Sequence, residues 1–224
     1  MGPAHAASNG SGEHASERAV PAARHRGLVS LLAHDLRVPL GPLALATSSL
    51  ASDPGIGGSA REYAQIAYAQ STRVGRMMSA ALAASGRLPT MRRSRLSMTQ
   101  MLRATGDAFC RLGGAMTVHG NEWGNGGHVT ADQTVLGECL LNVAELAGGP
   151  AMRTAATIER AARVIVGFSC DDAGRCADAF AKDVPDDADS AFALAAVAVV
   201  GALGGLVEVT DDEIVLAFRS AEEE

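Results

Sequence analysis

The stretch "LAHDLRVPLGPL" (residues 32–43) sets a histidine beside an acid and places two prolines just beyond, inside an otherwise helical pattern. Val29, Leu32, Leu36, Leu40 and Leu43 step by 3, 4, 4 and 3, the spacing of a coiled-coil-like seam. His34 falls between Leu32 and Leu36. At roughly 100° per residue it lies about 160° from each, away from the seam and toward solvent. Pro39 leaves the carbonyl of Asp35 without its helical N–H, and Pro42 does the same for Val38. A bend just after the histidine is expected, opening that surface to a partner.

The flanking sequence completes a helical hairpin. Residues 1–23, rich in Ala, Gly, Ser and His without periodicity, read as a disordered tail. The first helix spans about 24–51, and "SDPGIGG" (52–58) breaks it. A second helix follows over about 59–86, with Ser59 as N-cap and Glu62 completing a capping box, and Gly86 and Pro89 end it. Tyr63, Ile66, Gln70, Val74, Met77 and Ala81 form its seam. Two helices cannot enclose two such seams, so the hairpin (24–88) is expected to pair with a second copy in a four-helix bundle, making the chain a homodimer.

After a linker at 87–96 the pattern alternates. Strands are expected near 95–98, 115–119, 152–159, 162–170, 205–210 and 213–219. Helices are expected at about 99–112, 132–147 and 191–207, with an acidic loop over 171–189. The fold class is α+β: a two-helix hairpin followed, over 95–220, by one mixed sheet with helices on one face. "AFALAAVAVVGALGGLV" (191–207) is wholly apolar, but it is Ala- and Gly-rich and runs straight into a strand hairpin. It reads as a buried helix rather than a membrane span.

Composition narrows the function. A net charge of −6, 4% aromatic residues and a single short basic run, "MRRSRL" (91–96), argue against nucleic-acid binding and make that run a solvated linker. Cys110, Cys139, Cys170 and Cys176 have no zinc-type spacing and the six histidines form no ligand motif, so no metal site is expected. With no signal peptide, the cysteines read as reduced and mostly buried, and the protein as cytoplasmic with no membrane partner.

"HDLRVPL" resembles the phosphoacceptor box of two-component sensor histidine kinases, H-[ED]-L-R-T-P-L, on the first helix of a dimeric hairpin. The second unit resembles, in the order of its elements, the ATP-binding domain of that family. The resemblance implies that His34 carries a phosphoryl group and that Asp35 orients its ring. It also places receiver-domain recognition below the histidine, for which Arg37, Thr47, Ser48, Tyr68 and Arg73 are candidates. The family's nucleotide motifs are damaged. Its paired asparagines become Asn142 and Leu146, its D-x-G-x-G loop keeps Asp172 and Gly174 but has Cys176, and Ala191 and Ala193 stand at glycine positions.

ATP and magnesium binding are therefore expected to be lost, leaving no cofactor, with magnesium supplied by the receiver domain. The resemblance implies a histidine phosphotransfer protein acting with response-regulator receiver domains and an upstream hybrid kinase. A divergent ATP-dependent kinase and a non-catalytic scaffold that binds regulators remain as alternatives. The family's Thr or Asn four residues after the histidine is Val38 here, which cannot orient water, so regulator phosphatase activity is expected to be weak.

Overall fold

A computed structural model describes residues 40–120, 127–149, 153–160 and 163–221. His34, Asp35, Arg37, Pro39 and the expected tail lie outside the described residues, as does most of the opening stretch. Helix α1 is described over 40–52 and α2 spans Gly58–Ala84. The expected capping box at Ser59 is not formed. The N-cap is Gly57, which makes no side-chain cap, so α2 starts without that help.

The second unit runs β1 (Ser94–Ser97), α3 (Met98–Arg111), β2 (Ala115–Gly120), β3 (His128–Ala131) and α4 (Gln133–Gly148). It continues with β4 (Arg153–Arg160), β5 (Arg163–Ser169), α5 (Ala173–Phe180), α6 (Ala188–Ala202), β6 (Leu206–Val209) and β7 (Glu213–Arg219). A five-stranded sheet has the order β2-β4-β5-β7-β6, with β2 and β4 parallel and every other pair antiparallel. β1 and β3 form a separate two-stranded ladder, pairing Ser94 with Ala131 and Ser97 with His128. The expectation of a single sheet is corrected accordingly. The basic run is also not purely a linker, since it leads into β1 and Arg93 donates to the carbonyl of Ala202 at 2.8 Å.

Alternation decides which face of the sheet is covered. Val164, Val166 and Phe168 of β5 and Ile214, Leu216 and Phe218 of β7 are all buried at every second position. They pack with Leu102 and Phe109 of α3 and with Leu136, Leu140 and Leu146 of α4 in one core. Full burial of a side chain such as Phe168 contributes roughly 1.5–3 kcal/mol. Polar caps set where these helices begin. Asp132 accepts from the backbone N–H of Thr134 and Val135 to start α4. Asp187 and Ser190 form a reciprocal capping box at α6. That box starts α6 three residues earlier than the apolar run suggests. The acidic segment before it is not all loop, because Asp172 caps α5 there.

Candidate functional site

The hairpin meets the α/β unit along α2. Ala80 and Ala83 of α2 pack with Ala191, Phe192 and Ala195 of α6 in a small apolar cluster of their own. Small residues on both sides let the two helices come close, and Phe192 (fully buried) fills the space between.

One helical turn before Ala80, Arg76 turns into this contact. It is 6% exposed, and its guanidinium carbon sits 5.7 Å from the centroid of the Phe192 ring. Its Nη1 donates to Oδ1 of Asn142 at 2.9 Å, and its Nη2 is paired with the carboxylate of Glu145. Arg73, one turn earlier on the same face, donates through Nε to the other oxygen of that carboxylate. Glu145 is 5% exposed and sits in the last turn of α4, among the buried Val143, Ala144, Leu146 and Ala147. A buried carboxylate needs paired charge and filled acceptor positions, and the two arginines supply both.

A third arginine closes the C-terminal end of α4, one residue beyond Glu145. Arg175 of α5 donates through Nη2 to the carbonyl of Leu146 and through Nη1 to Asp189 at 2.7 Å. A cation there suits the negative end of a helix. Gly149, with φ +49°, is what allows it, since a β-carbon at this position would lie 2.7 Å from the Arg175 nitrogen. Gln70, Arg73, Arg76, Glu145, Arg175 and Asp189 thus border a cavity of about 460 Å³ between the hairpin and the α/β unit.

The sequence-derived candidates fall into groups. Asn142 is buried and bound to Arg76. Asp172 is the N-cap of α5, its carboxylate accepting from the Arg175 backbone N–H at 3.0 Å. Gly174 lies in the first turn of that helix and has no positive φ. Ala191 and Ala193 are buried within α6, and Leu146 is fully buried in α4. Arg73 borders the 460 Å³ cavity. Ser48 and Tyr68 come together across a neighbouring cavity of about 630 Å³, opposite Cys110, Arg111 and Gly113 at the end of α3. Thr47 is buried, its hydroxyl donating to the carbonyls of Leu43 and Ala44, so of the two first-helix candidates only Ser48 borders open space.

The sequence reading missed Arg76, Glu145 and Arg175. A signal was present: one carboxylate in the apolar run "LLNVAELA", matched by arginines three residues apart on α2. All four cysteines are free. Cys139 and Cys176 are buried, Cys170 is partly so, and Cys110 is exposed. Burial pushes the Cys139 thiol up to about 12. A contact between Cys176 and Cys170 and the charge of Arg175 hold the Cys176 thiol low, while that contact and burial raise the Cys170 thiol. Among the described residues no group of three or more His, Cys, Asp or Glu could hold a metal ion. No helix among them is long and apolar enough to cross a membrane.

No protein-family model matches the chain, and no curated protein matches it. Solved structures do. Full-length ShkA in complex with AMPPNP superposes with a TM-score of 0.52 at 17% identity, over 87% of this chain and 46% of that one. This chain therefore spans just under half of ShkA. The Acinetobacter baumannii histidine kinase AdeS matches at 11% identity and a TM-score of 0.48, over 84% of this chain and 98% of that one. The catalytic domain of the histidine kinase ThkA matches at 14% identity and 0.45, over 58% and 96%. The fold is histidine kinase-like, an α+β chain with an α/β sandwich. A likeness of this degree is one of fold.

Proposed function

We propose that the chain is a histidine phosphotransfer protein of two-component signalling, which carries a phosphoryl group on His34 to or from the aspartate of receiver domains without binding ATP. The observation that carries this reading is the burial of Ala191, Phe192, Ala193 and Ala195. The run that corresponds to the family's phosphate loop is helical here and packed against Ala80 and Ala83 of α2. A phosphate-cradling loop needs exposed backbone N–H groups and room for close approach, and a buried alanine-rich helix offers neither. Leu146 offers no oxygen to a magnesium ion, and Arg76 occupies the face of Asn142. These residues do not fit magnesium-ATP.

In the transfer, a neutral ring nitrogen of His34 attacks the phosphorus of an aspartyl phosphate. The P–N bond forms as the acyl P–O bond breaks, and the aspartate carboxylate leaves. Asp35 accepts the other ring N–H and orients the imidazole, and Arg37 adds positive charge nearby. Magnesium belongs to the receiver domain. Ser48, Tyr68 and Arg73 contribute to receiver docking. Leu43 (50% exposed), Tyr63 (69%) and Ile66 (51%) leave an apolar strip on the hairpin that supports pairing with a second copy. The setting is the cytoplasm, with a hybrid kinase upstream.

The test is incubation with a phosphorylated receiver domain beside a His34→Ala control. Label acquired by the wild type and not by the variant is expected, and equal labelling of both sinks the proposal. Titration with a fluorescent ATP analogue separates it from an ATP-dependent kinase, for which saturable binding is required.

A further inference from the structure

We propose that the 460 Å³ cavity between α2 and the α/β unit is a binding site for a small oxyanion, either inorganic phosphate or the phosphate group of a metabolite. The inference stands on the cavity and does not depend on how His34 obtains its phosphate.

The donors of the lining exceed its acceptors. Three guanidinium groups, those of Arg73, Arg76 and Arg175, face two carboxylates, those of Glu145 and Asp189. Both carboxylates are already held: Glu145 by Arg73 and Arg76, and Asp189 by Arg175. One positive charge is left over, and it is partly enclosed, where solvent screens it less than at the surface. N–H groups are left over as well. Arg76 is more than nine-tenths buried, and its Nε has no hydrogen-bond partner among the described residues. The Nε of Arg175 also lacks such a partner, on a side chain that is 23% exposed. Arg73 spends only its Nε on Glu145 and is 44% exposed, so its terminal nitrogens reach the opening. The donors that reach the cavity are the terminal nitrogens of Arg73, and the surplus positive charge of the lining is what an anion would neutralise.

The chemistry of the lining selects the class. Guanidinium groups present forked donors that match the oxygens of phosphate, and the amide of Gln70 adds a neutral donor at the rim. The volume falls within the range for small-molecule sites and suits a phosphomonoester as well as the free ion. The cavity draws on the hairpin through Gln70, Arg73 and Arg76 and on the α/β unit through Glu145, Arg175 and Asp189. A bound anion therefore ties the two units together and raises the stability of the whole chain by mass action.

The test uses the full chain, titrated with sodium phosphate and with ribose 5-phosphate, by calorimetry and by melting temperature, with sodium chloride matching the ionic strength. The variant Arg73→Gln leaves Glu145 paired with Arg76, and Arg103→Gln, exposed on α3, is the control for loss of charge. Saturable binding with a Kd of about 1 mM or tighter is expected. It should weaken tenfold in Arg73→Gln, be unchanged in Arg103→Gln, and bring a rise in Tm. Tighter binding of ribose 5-phosphate than of phosphate assigns the site to a metabolite, and the reverse order assigns it to the free ion. Absence of saturable binding to both, or equal binding by Arg73→Gln and wild type, overturns the proposal.

Discussion

Arg76 of α2 and Glu145 of α4 stand 69 residues apart in the chain and form an ion pair in which neither side chain is more than 7% exposed. The pair joins the hairpin to the α/β unit at a point that Arg73 reinforces from the solvent side. The two arginines should therefore differ in worth. Arg76→Ala leaves the Glu145 carboxylate without its buried partner and should cost about 3–5 kcal/mol. Arg73→Ala removes a half-exposed partner and should cost about 1 kcal/mol or less. Urea unfolding of the two variants checks the ratio, and equal losses would show that Arg73 carries the pair.

The cap of α6 gives a pH-dependent test. The Lys182 ammonium, then the backbone and hydroxyl of Ser190, hold the Asp187 carboxyl down at about 2. Its folded value lies below its ordinary one of 3.8, so the stabilisation is fully present above that value and is lost as pH falls toward 2. Asp187→Asn keeps a capping oxygen but cannot titrate, so its stability should vary less than that of wild type between these limits. Asp187→Ala should cost about 1 kcal/mol at neutral pH.

Gly205 tests the turn from α6 into β6. A β-carbon there would lie 2.4 Å from the Ala217 carbonyl oxygen and 2.7 Å from a Val200 methyl. Backbone cannot step aside as a side chain can. Gly205→Ala should cost about 1–3 kcal/mol, read as a lower urea midpoint with an unchanged slope.

Thiol reactivity should follow burial. Cys110 is exposed, while Cys139 is 4% exposed with its thiol raised to about 12. A disulfide reagent at pH 8 should label Cys110 first, and Cys110→Ser should abolish the fast phase. Cys139 should react only on unfolding.

The apolar strip of the hairpin predicts a dimer that charge can split. Ile66→Glu puts a carboxylate at a half-exposed position of the seam and should convert dimer to monomer in sedimentation velocity. An unchanged sedimentation coefficient would rule out this face as the interface.

Where side-chain period and caps agreed, the sequence was legible. "LVEVTDDEIVLAF" alternates, and it forms the antiparallel β6–β7 pair. Asp132 precedes an amphipathic run, and it caps α4. The misses have local causes. Asp172 was read as part of a ligand motif, which hid its role as the cap of an eight-residue helix. Ser59 had the right partner at Glu62, but the chain enters α2 through Gly57 and Gly58, the latter at φ +58°. The four-residue β3 alternates in burial, but its sequence "HVTA" offers only Val129 and Ala131 as apolar positions. Within the candidate site, Asn142 and Arg73 were singled out for separate reasons, and only the fold brings both to the Arg76–Glu145 pair. Long-range pairing of charges leaves no periodic trace along a chain.

The Ala191–Phe192–Ala195 surface and the Glu145 carboxylate have a consequence for how the protein can be taken apart. Both are covered by α2, so cutting the chain near residue 90 would strip an apolar patch and a charge of their partners at one stroke. The α/β unit expressed alone should be less soluble and less stable than the whole chain. Modularity in this protein is a matter of topology, while its thermodynamic unit includes the helix next door.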